Sequence, residues 1–475
     1  MTLQLGGMKQ GMNPGTPPDK PDGDAPGAPS APPTGDPSNK PSDPSTDMPS
    51  DASDMPAGNP MDMETETVTL DLSDAVITVQ NGDTTTEGSI ADIVLGSYIT
   101  VTIDNNNTAA LLVVGTMNPG TPPSGGNFGG SAEFTHGNTA NLIDTDGAYS
   151  GESYSSIGDD ENALRIDGAE VSLTDITVDK TSGSSSNTES GDFYGVNAAL
   201  LATNGAQVTI SNANVSSSAA IRSDRGGGIV TVDGGNYTSN GYNSPAVYSM
   251  ADITVENAEL TANHSEALLI EGKNSITLKD CVVSGNMSDD KGTSSDENVH
   301  NVMIYQSMSG DADVGTSMFS MAGGQLISNN GDMFYITNTH CILTLDNVLL
   351  SNLDEDGTLM TITGNSASHG WGTAGSNGAS AEVTVSHQTL EGSIIVDTIS
   401  SLNLTLSENS TFTGTINIVE NQAGGTAVSD NACVTIEAGS TWTLTGNCTI
   451  TSLDNYGIIE FNGYTITLAD GTVLS

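Results

Sequence analysis

The sequence predicts an all-β fold, a parallel β-helix built from stacked repeats of about 22 residues. A short phrase recurs four times, beginning at positions 22, 23 and 23 residues apart: Val208-Thr-Ile-Ser-Asn-Ala, Val230-Thr-Val-Asp-Gly-Gly, Ile253-Thr-Val-Glu-Asn-Ala and Ile276-Thr-Leu-Lys-Asp-Cys. Each copy starts with the alternation of a strand that has one buried face. This period is too short for a four-stranded propeller blade, and a β-sandwich is the remaining alternative.

Each copy of the phrase continues through a bend into two further short strands. The bend position holds Asn, Asp or Gly, which tolerate a left-handed backbone, and a small residue follows it. A second apolar position comes two residues later, at Val215, Tyr237, Leu260 and Val283, so Tyr237 is predicted to lie in the core. A third apolar run precedes the next copy, as at 245–248 and 267–270. Such a unit buries its apolar face only when equal positions stack into ladders.

The composition divides the chain into four segments. Residues 1–63 hold 14 of the 18 prolines among Asp, Ser, Gly and Met, and we expect a disordered linker there. Residues 64–115 echo the phrase and predict a small β unit or an N-terminal cap. Residues 116–132 form a second Gly/Pro linker, and residues 133–475 form the predicted β-helix.

The net charge of −49 restricts the partners of the protein. Acidic residues number 59 against 10 basic ones, and no Lys or Arg follows Lys291. Such a surface repels phosphate backbones and anionic lipids, so we expect no nucleic-acid partner and no membrane insertion. Neutral ligands and divalent cations suit it better. No apolar run is long enough to cross a bilayer, and the first residues lack the charged and apolar regions of a signal peptide.

The four cysteines follow no metal-binding spacing. In the strand register Cys341 faces the core and Cys433 faces solvent, which disfavours a disulfide framework. We expect Cys281, Cys341, Cys433 and Cys448 to act as small residues that fill ladder positions.

Several stretches resemble a family of right-handed β-helix proteins, adhesin-like and secreted or surface-attached, found in anaerobic gut bacteria. The resemblance covers about residues 130–475 and is carried by Glu161-Asn-Ala-Leu-Arg-Ile-Asp-Gly168, Ala219-Ala-Ile-Arg-Ser-Asp-Arg-Gly226, Asn298-Val-His-Asn-Val-Met-Ile-Tyr305, Ser368-His-Gly-Trp-Gly372 and Gly463-Tyr-Thr-Ile-Thr-Leu-Ala-Asp-Gly471. It implies a right-handed β-helix and an extracellular or cell-surface location. The resemblance identifies no catalytic residue in this chain.

Calcium is the cofactor that the sequence indicates. Hard cations take oxygen ligands, and carboxylates are dense in predicted loops. The candidate metal ligands are Asp159, Asp160, Glu161, Asp289 and Asp290. None of these runs matches a known calcium motif, and a solvated acidic loop is the alternative for each.

Two groups of residues are candidates for ligand binding. Arg222 and Arg225 bracket Asp224 and predict a clamp on a sugar carboxylate, with an internal salt bridge as the alternative. Tyr242 and Trp371 fall in loops rich in Gly, Asn and Ser, where exposed aromatic rings serve as platforms for sugars.

Enzymes that act on acidic polysaccharides provide the main alternative function. A hydrolase needs two carboxylates on one groove, whereas the runs 144–147 and 158–160 are 14 residues apart and the run 368–370 is remote. A lyase needs a base beside cation-binding carboxylates, and basic residues are scarce. The sequence therefore favours a non-catalytic, extracellular adhesin-like or carbohydrate-binding protein whose partner is a glycan or a cell-surface ligand. The alternatives are a lyase or hydrolase of uronic-acid polymers and a purely structural spacer.

Overall fold

The chain divides into two compact units, residues 1–117 and 118–475. The structure, a computed structural model, describes residues 137–186, 195–217, 228–242, 244–289, 298–307, 312–365 and 373–475, together with the strand backbones at 2–5, 66–69, 76–81, 84–87, 97–103, 109–116 and 221–223. Every regular element within these ranges is a β-strand. None of them contains a helix long and apolar enough to cross a membrane.

The first unit contains two small sheets. β1 (Thr2–Leu5) pairs antiparallel with β2 (Glu66–Thr69). A second sheet has the strand order β4-β3-β6-β5 and mixes parallel and antiparallel pairs. Its strands are β3 (Val76–Asn81), β4 (Thr84–Glu87), β5 (Ser97–Ile103) and β6 (Ala109–Thr116). The predicted linkers are residues 1–63 and 116–132. β1 and the last residue of β6 fall within these bounds, and residues 6–63 and 117–132 lie outside the described residues.

The first long sheet of the second unit contains 18 strands in the described ranges, and its strand pairs run parallel. These strands are β9 (Gly147–Ser150), β10 (Ser153–Ser155), β13 (Glu170–Thr174), β14 (Thr177–Lys180), β16 (Gln207–Ser217), β18 (Ile229–Ser239), β20 (Asp252–Glu256), β21 (Glu259–Ala262), β23 (Ser275–Lys279), β24 (Val282–Gly285), β26 (Thr316–Ala322), β27 (Gln325–Ser328), β29 (His340–Asp346), β30 (Leu349–Asn352), β32 (Ser380–Ser386), β34 (Ser401–Ser407), β36 (Ala432–Ile436) and β39 (Ser452–Asn455).

The second long sheet contains 16 strands in the same ranges. They are β8 (Leu142–Ile143), β12 (Leu164–Asp167), β15 (Leu200–Thr203), β17 (Ile221–Ser223), β19 (Val247–Ser249), β22 (Leu268–Glu271), β25 (His300–Tyr305), β28 (Asp332–Thr337), β31 (Met360–Thr363), β33 (Thr389–Asp397), β35 (Thr411–Val419), β37 (Thr441–Leu444), β38 (Cys448–Ile450), β40 (Ile458–Glu460), β41 (Ile466–Leu468) and β42 (Val473–Leu474). β7 (Asn138–Thr139) and β11 (Glu161–Asn162) form a separate parallel pair. Long parallel sheets of many strands fit a solenoid.

The recurring phrase forms one inward-facing column. Val208 pairs with Val230, Val230 with Ile253, and Ile253 with Ile276, and all four side chains are buried, as predicted. The column continues on both sides through direct register partners, namely Val171, Phe319, Leu343, Val383, Leu404, Val434 and Leu453. Long sequence intervals such as 276 to 319 therefore hold inserted segments between paired strands and not an extra strand of this column.

The bends follow the predicted chemistry. Asn212, Gly234, Asn257 and Asp280 occupy equal positions and have φ angles of 55°, 74°, 56° and 52°. This is the left-handed region that these residue types tolerate. Adjacent bends also bind one another, since the Asn257 side-chain amide donates to the Asp233 carboxylate at 2.8 Å.

The remaining core predictions agree with the structure. Tyr237 is fully buried in the second inward column, between Val215 and Leu260. Cys341 is buried, and Cys433 is partly exposed in the outward register of Asn403. All four cysteines are free thiols.

We expect an Ile253→Asp substitution to lower the free energy of unfolding by more than about 3 kcal/mol, because it buries an unpaired carboxylate in the column. Urea unfolding followed by circular dichroism measures this change. Thr254→Asp is the matched control, since Thr254 faces outward in the same strand. Equal stability of Ile253→Asp and the wild type would contradict the register.

Candidate functional site

An exposed pair of stacked rings lies at one turn of the repeat array. Tyr242 is 60 % exposed, and its ring lies on the imidazole of His264, with ring centroids 5.2 Å apart and an interplanar angle of 20°. His264 is also exposed. The two rings belong to successive turns and together form a platform larger than one side chain. We call Tyr242 and His264 the ring platform.

Ser244 holds the segment that carries Tyr242. Its hydroxyl donates to the Tyr242 carbonyl at 2.9 Å, and its backbone N–H donates to the Ser265 hydroxyl at 2.8 Å. The Ser239 hydroxyl donates to the Ser244 carbonyl. These bonds join the Tyr242 segment to the strand before it and to the turn that carries His264, so the two rings are held in place.

An asparagine ladder lies beside the ring platform, at equal positions of three successive turns. The Asn263 side-chain amide donates to the Asn240 side-chain oxygen at 2.7 Å, and the Asn286 amide donates to the Asn263 carbonyl at 3.2 Å. Asn240 and Asn286 are exposed. Their sequence separation is 23 residues at each step.

The ring platform and the asparagine ladder together offer the contacts that a sugar needs. Aromatic faces stack on the apolar face of a pyranose, and amide groups both donate to and accept from hydroxyls. Neither Tyr242 nor the ladder carries a formal charge, so a neutral sugar meets no repulsion there.

The side chains of the other predicted ligand-binding residues lie outside what the structure describes. Arg222 lies in β17, where its backbone is in register with Leu201 and Tyr248, and its side chain is outside the described residues. Asp224, Arg225 and Trp371 are also outside the described residues. The proposed arginine clamp therefore stays a prediction.

The outward face of the second sheet near Arg222 is buried and polar. The Tyr248 hydroxyl donates to the Glu271 carboxylate at 2.5 Å and lies 3.1 Å from the Tyr305 hydroxyl. His300 stacks on Tyr335 with ring centroids 5.1 Å apart. All five side chains are almost fully buried. The sheet is therefore covered on its outer face at this level, which the alternation of a half-exposed strand does not predict.

The acidic run 159–161 lies beside the buried ammonium group of Lys180. Lys180 is fully buried at the end of β14, and its ammonium donates to the carbonyls of Gly158 at 2.8 Å and Ser182 at 2.5 Å. Burial lowers the pKa of Lys180 below its ordinary value of 10.5, and the carboxylates of Glu161 and Asp159 act in the opposite direction.

The three carboxylates of this run bind three different serines. Asp159 accepts from the Ser184 N–H at 2.8 Å, and Asp160 accepts from the Ser186 N–H at 2.7 Å. Glu161 accepts from the Ser156 hydroxyl at 2.5 Å. The run thus fastens neighbouring loop segments.

The second candidate metal run lies at the edge of the described residues. Asp289 accepts a hydrogen bond from the Asn330 amide at 2.8 Å, and Asp290 is outside the described residues. Among the residues that the structure describes, no group of three or more His, Cys, Asp or Glu side chains is arranged to hold a metal ion. Calcium binding stays a prediction.

Sequence reasoning identified Tyr242 but missed its neighbours. The sequence does not single out His264, although it follows Tyr242 by 22 residues, which is about one repeat period. The regular spacing of Asn240, Asn263 and Asn286 was a further signal of a common face. Lys180 gave no signal, because a lysine at the end of a strand is normally solvated.

Comparison of this chain with protein-family models, with curated proteins and with solved structures gives no match.

We expect the stability of the wild type relative to Lys180→Met to rise with pH. The folded pKa of Lys180 lies below the unfolded one, so the cost of burying the ammonium is present at low pH and is relieved as the pH rises through the folded pKa toward 10.5. Urea unfolding of both proteins at neutral and alkaline pH measures the difference. A pH-independent difference, or one of opposite sign, would contradict this account of Lys180.

Proposed function

We propose that this chain is a non-catalytic, extracellular, adhesin-like protein that binds carbohydrate. The single observation that carries the proposal is the ring platform, in which Tyr242 is 60 % exposed yet held in place by stacking on His264. A ring that is already fixed loses little conformational entropy when a ligand binds, so its contact area contributes more to the affinity. The ligand in this proposal is a neutral pyranose chain on a cell surface or in the surrounding matrix.

The proposal includes the finer architecture. The repeat array is a right-handed parallel β-helix with a basic turn of about 22 residues, as in the direct pairing of Asn214 with Asn236. In such an array, equal positions of successive turns form lines of identical groups about 4.8 Å apart. The asparagine ladder is one such line, and it follows the long axis that an extended glycan would take.

The strong negative charge of the chain fits this function. The net charge of −49 disfavours acidic polymers and nucleic acids as partners and leaves neutral glycans unaffected. Calcium bound at the acidic runs would reduce the self-repulsion of the surface, and we retain calcium as the proposed cofactor.

A polysaccharide lyase or hydrolase remains the alternative, and the geometry gives it little support. Glu271 and Asp332 are two carboxylates of the second sheet. Their backbones are in register with opposite ends of β25, Glu271 with Tyr305 and Asp332 with His300. Five residues of strand separate their backbones by about 16 Å, whereas the two carboxyl groups of glycosidases are about 5–9.5 Å apart. Two of the scarce lysines also form ion pairs, Lys273 with Asp313 at 2.8 Å and Lys279 with Glu256 at 3.9 Å.

Tyr242→Ala should weaken glycan binding about tenfold or more, because it removes the exposed ring of the platform. Tyr242→Phe should bind almost as well as the wild type, since the ring face makes the contact. A glycan array selects the ligand, and calorimetric titration measures the dissociation constants. Tyr456→Ala is the matched control, because Tyr456 is 72 % exposed elsewhere on the chain. A ligand bound equally well by Tyr242→Ala, or no ligand on the array, would contradict the proposed site.

We expect no turnover of polygalacturonate, because no group of three or more His, Cys, Asp or Glu side chains in the described residues is arranged to hold the cation that a uronate lyase needs. The assay follows unsaturated-product absorbance and reducing ends with Ca²⁺ from mildly acidic to alkaline pH. Product that disappears in an Arg222→Ala, Arg225→Ala double variant would establish a lyase. Product that is lost instead in Asp159→Asn, Asp160→Asn would establish a hydrolase.

A further inference from the structure

The first long sheet opens at β30. β24 pairs with β27, and β27 pairs with β30. In the described residues, however, no pairing joins β30 to the next equivalent segment, 389–392. That segment belongs to β33, which pairs with β31 and β35 of the second sheet. The edges of β30 and β33 therefore face each other without a ladder between them.

A side chain holds the two edges apart. The Gln388 amide accepts from the Val348 N–H at 2.8 Å and donates to the Val348 carbonyl at 2.7 Å and to the Thr389 carbonyl at 2.9 Å. Gln388 is 1 % exposed. Its side chain thus makes the hydrogen bonds that the backbone of a neighbouring strand would make. It does so only at Val348, at the start of β30, and leaves the rest of that edge uncovered.

Beyond Gln388 the opening is a groove of about 400 Å³, within the size range of ligand-binding clefts. Its lining combines apolar side chains with a polar rim: Met333, Leu349, Leu350, Leu353, Leu359 and Glu391. Leu349 and Leu353 are 60 % and 62 % exposed, so two large apolar side chains face solvent at the mouth of the groove.

The free edge of β30 presents backbone groups to this groove. The N–H groups of Leu349 and Leu353 donate toward β27, to Gly324 at 3.0 Å and Ser328 at 2.8 Å. Alternate residues of a parallel strand present their backbone groups to opposite sides. Leu350 and Asn352 therefore direct theirs away from β27, to the side that Val348 shares with Gln388.

The charge around the groove has one sign. Asp354, Glu355 and Asp356 follow β30 directly, and Glu391 lies on the opposite wall. The Gly331 and Asp356 N–H groups bind the Asp354 carboxylate and lower its pKa, so this group stays ionised. A cationic ligand is therefore attracted to the groove.

We propose that the groove binds an extended cationic peptide segment, which adds as a strand to the free edge of β30. The peptide backbone bonds to Leu350 and Asn352. The apolar side chains of the peptide point inward onto Met333, Leu350 and Leu359, and the alternate, basic side chains point outward and meet Glu391 and the acidic run 354–356. Strand addition of this kind derives affinity from the backbone and specificity from alternate side chains. The site is independent of the ring platform.

The test uses a synthetic peptide of alternating lysine and valine, titrated at low salt by calorimetry into the full chain. We expect binding to weaken about tenfold or more in a Leu349→Lys, Leu353→Lys double variant, which places like charge beside the outward lysines of the peptide. The matched control is Ile458→Lys, Val473→Lys, which changes two residues of similar exposure elsewhere. The control should bind as the wild type does.

Hydrogen exchange of the wild type gives a second measurement that does not depend on the folding of a variant. Peptide binding should slow exchange at the Leu350 and Asn352 amides and leave the β27 amide of Leu326 unchanged. Equal binding to the double variant, equal binding of a glutamate–valine peptide, or protection confined to other strands would overturn the proposal. Displacement of the peptide by a neutral oligosaccharide would assign the groove to carbohydrate and would overturn it too.

Discussion

Register between equal positions of successive strands is the constraint on which this protein depends. The column that runs from Val208 through Ile253 to Val434 is buried because each apolar residue lies between two others of the same kind. No single strand could bury its side chain alone. The same register also orders the surface, since a residue repeated in sequence becomes a continuous line there, as in the asparagine ladder.

Much of the inward architecture could be predicted from sequence. The alternation at Val230-Thr-Val places one face inside, and the Asn or Gly that follows identifies the left-handed bend, so Tyr237 and Cys341 could be assigned to the core. The second sheet was harder. A run such as 267–271 is buried on both faces and has no alternation, so its outward residues could not be distinguished from core.

The candidate sites were less predictable for a related reason. Tyr242 was recognisable as an exposed ring in a polar loop, but its stacking partner depends on the length of the turn that separates them. Gln388 follows a bend residue and resembles any polar surface position in sequence. Its role depends on the failure of β30 and β33 to pair, which is a property of two distant segments. Lys180 is similar, because its buried ammonium is satisfied by carbonyls that no motif marks.

The opening at Gln388 also bears on how the array holds together as a whole. In a linear repeat protein the coupling between neighbouring turns sets how many of them unfold as one cooperative block. At this step β29 still pairs with β32 and β31 with β33, while the β30 position has only a glutamine amide in place of a ladder. At this step the coupling therefore rests on the β29–β32 and β31–β33 ladders, and we expect those two ladders to carry a pulling force along the axis without help from β30.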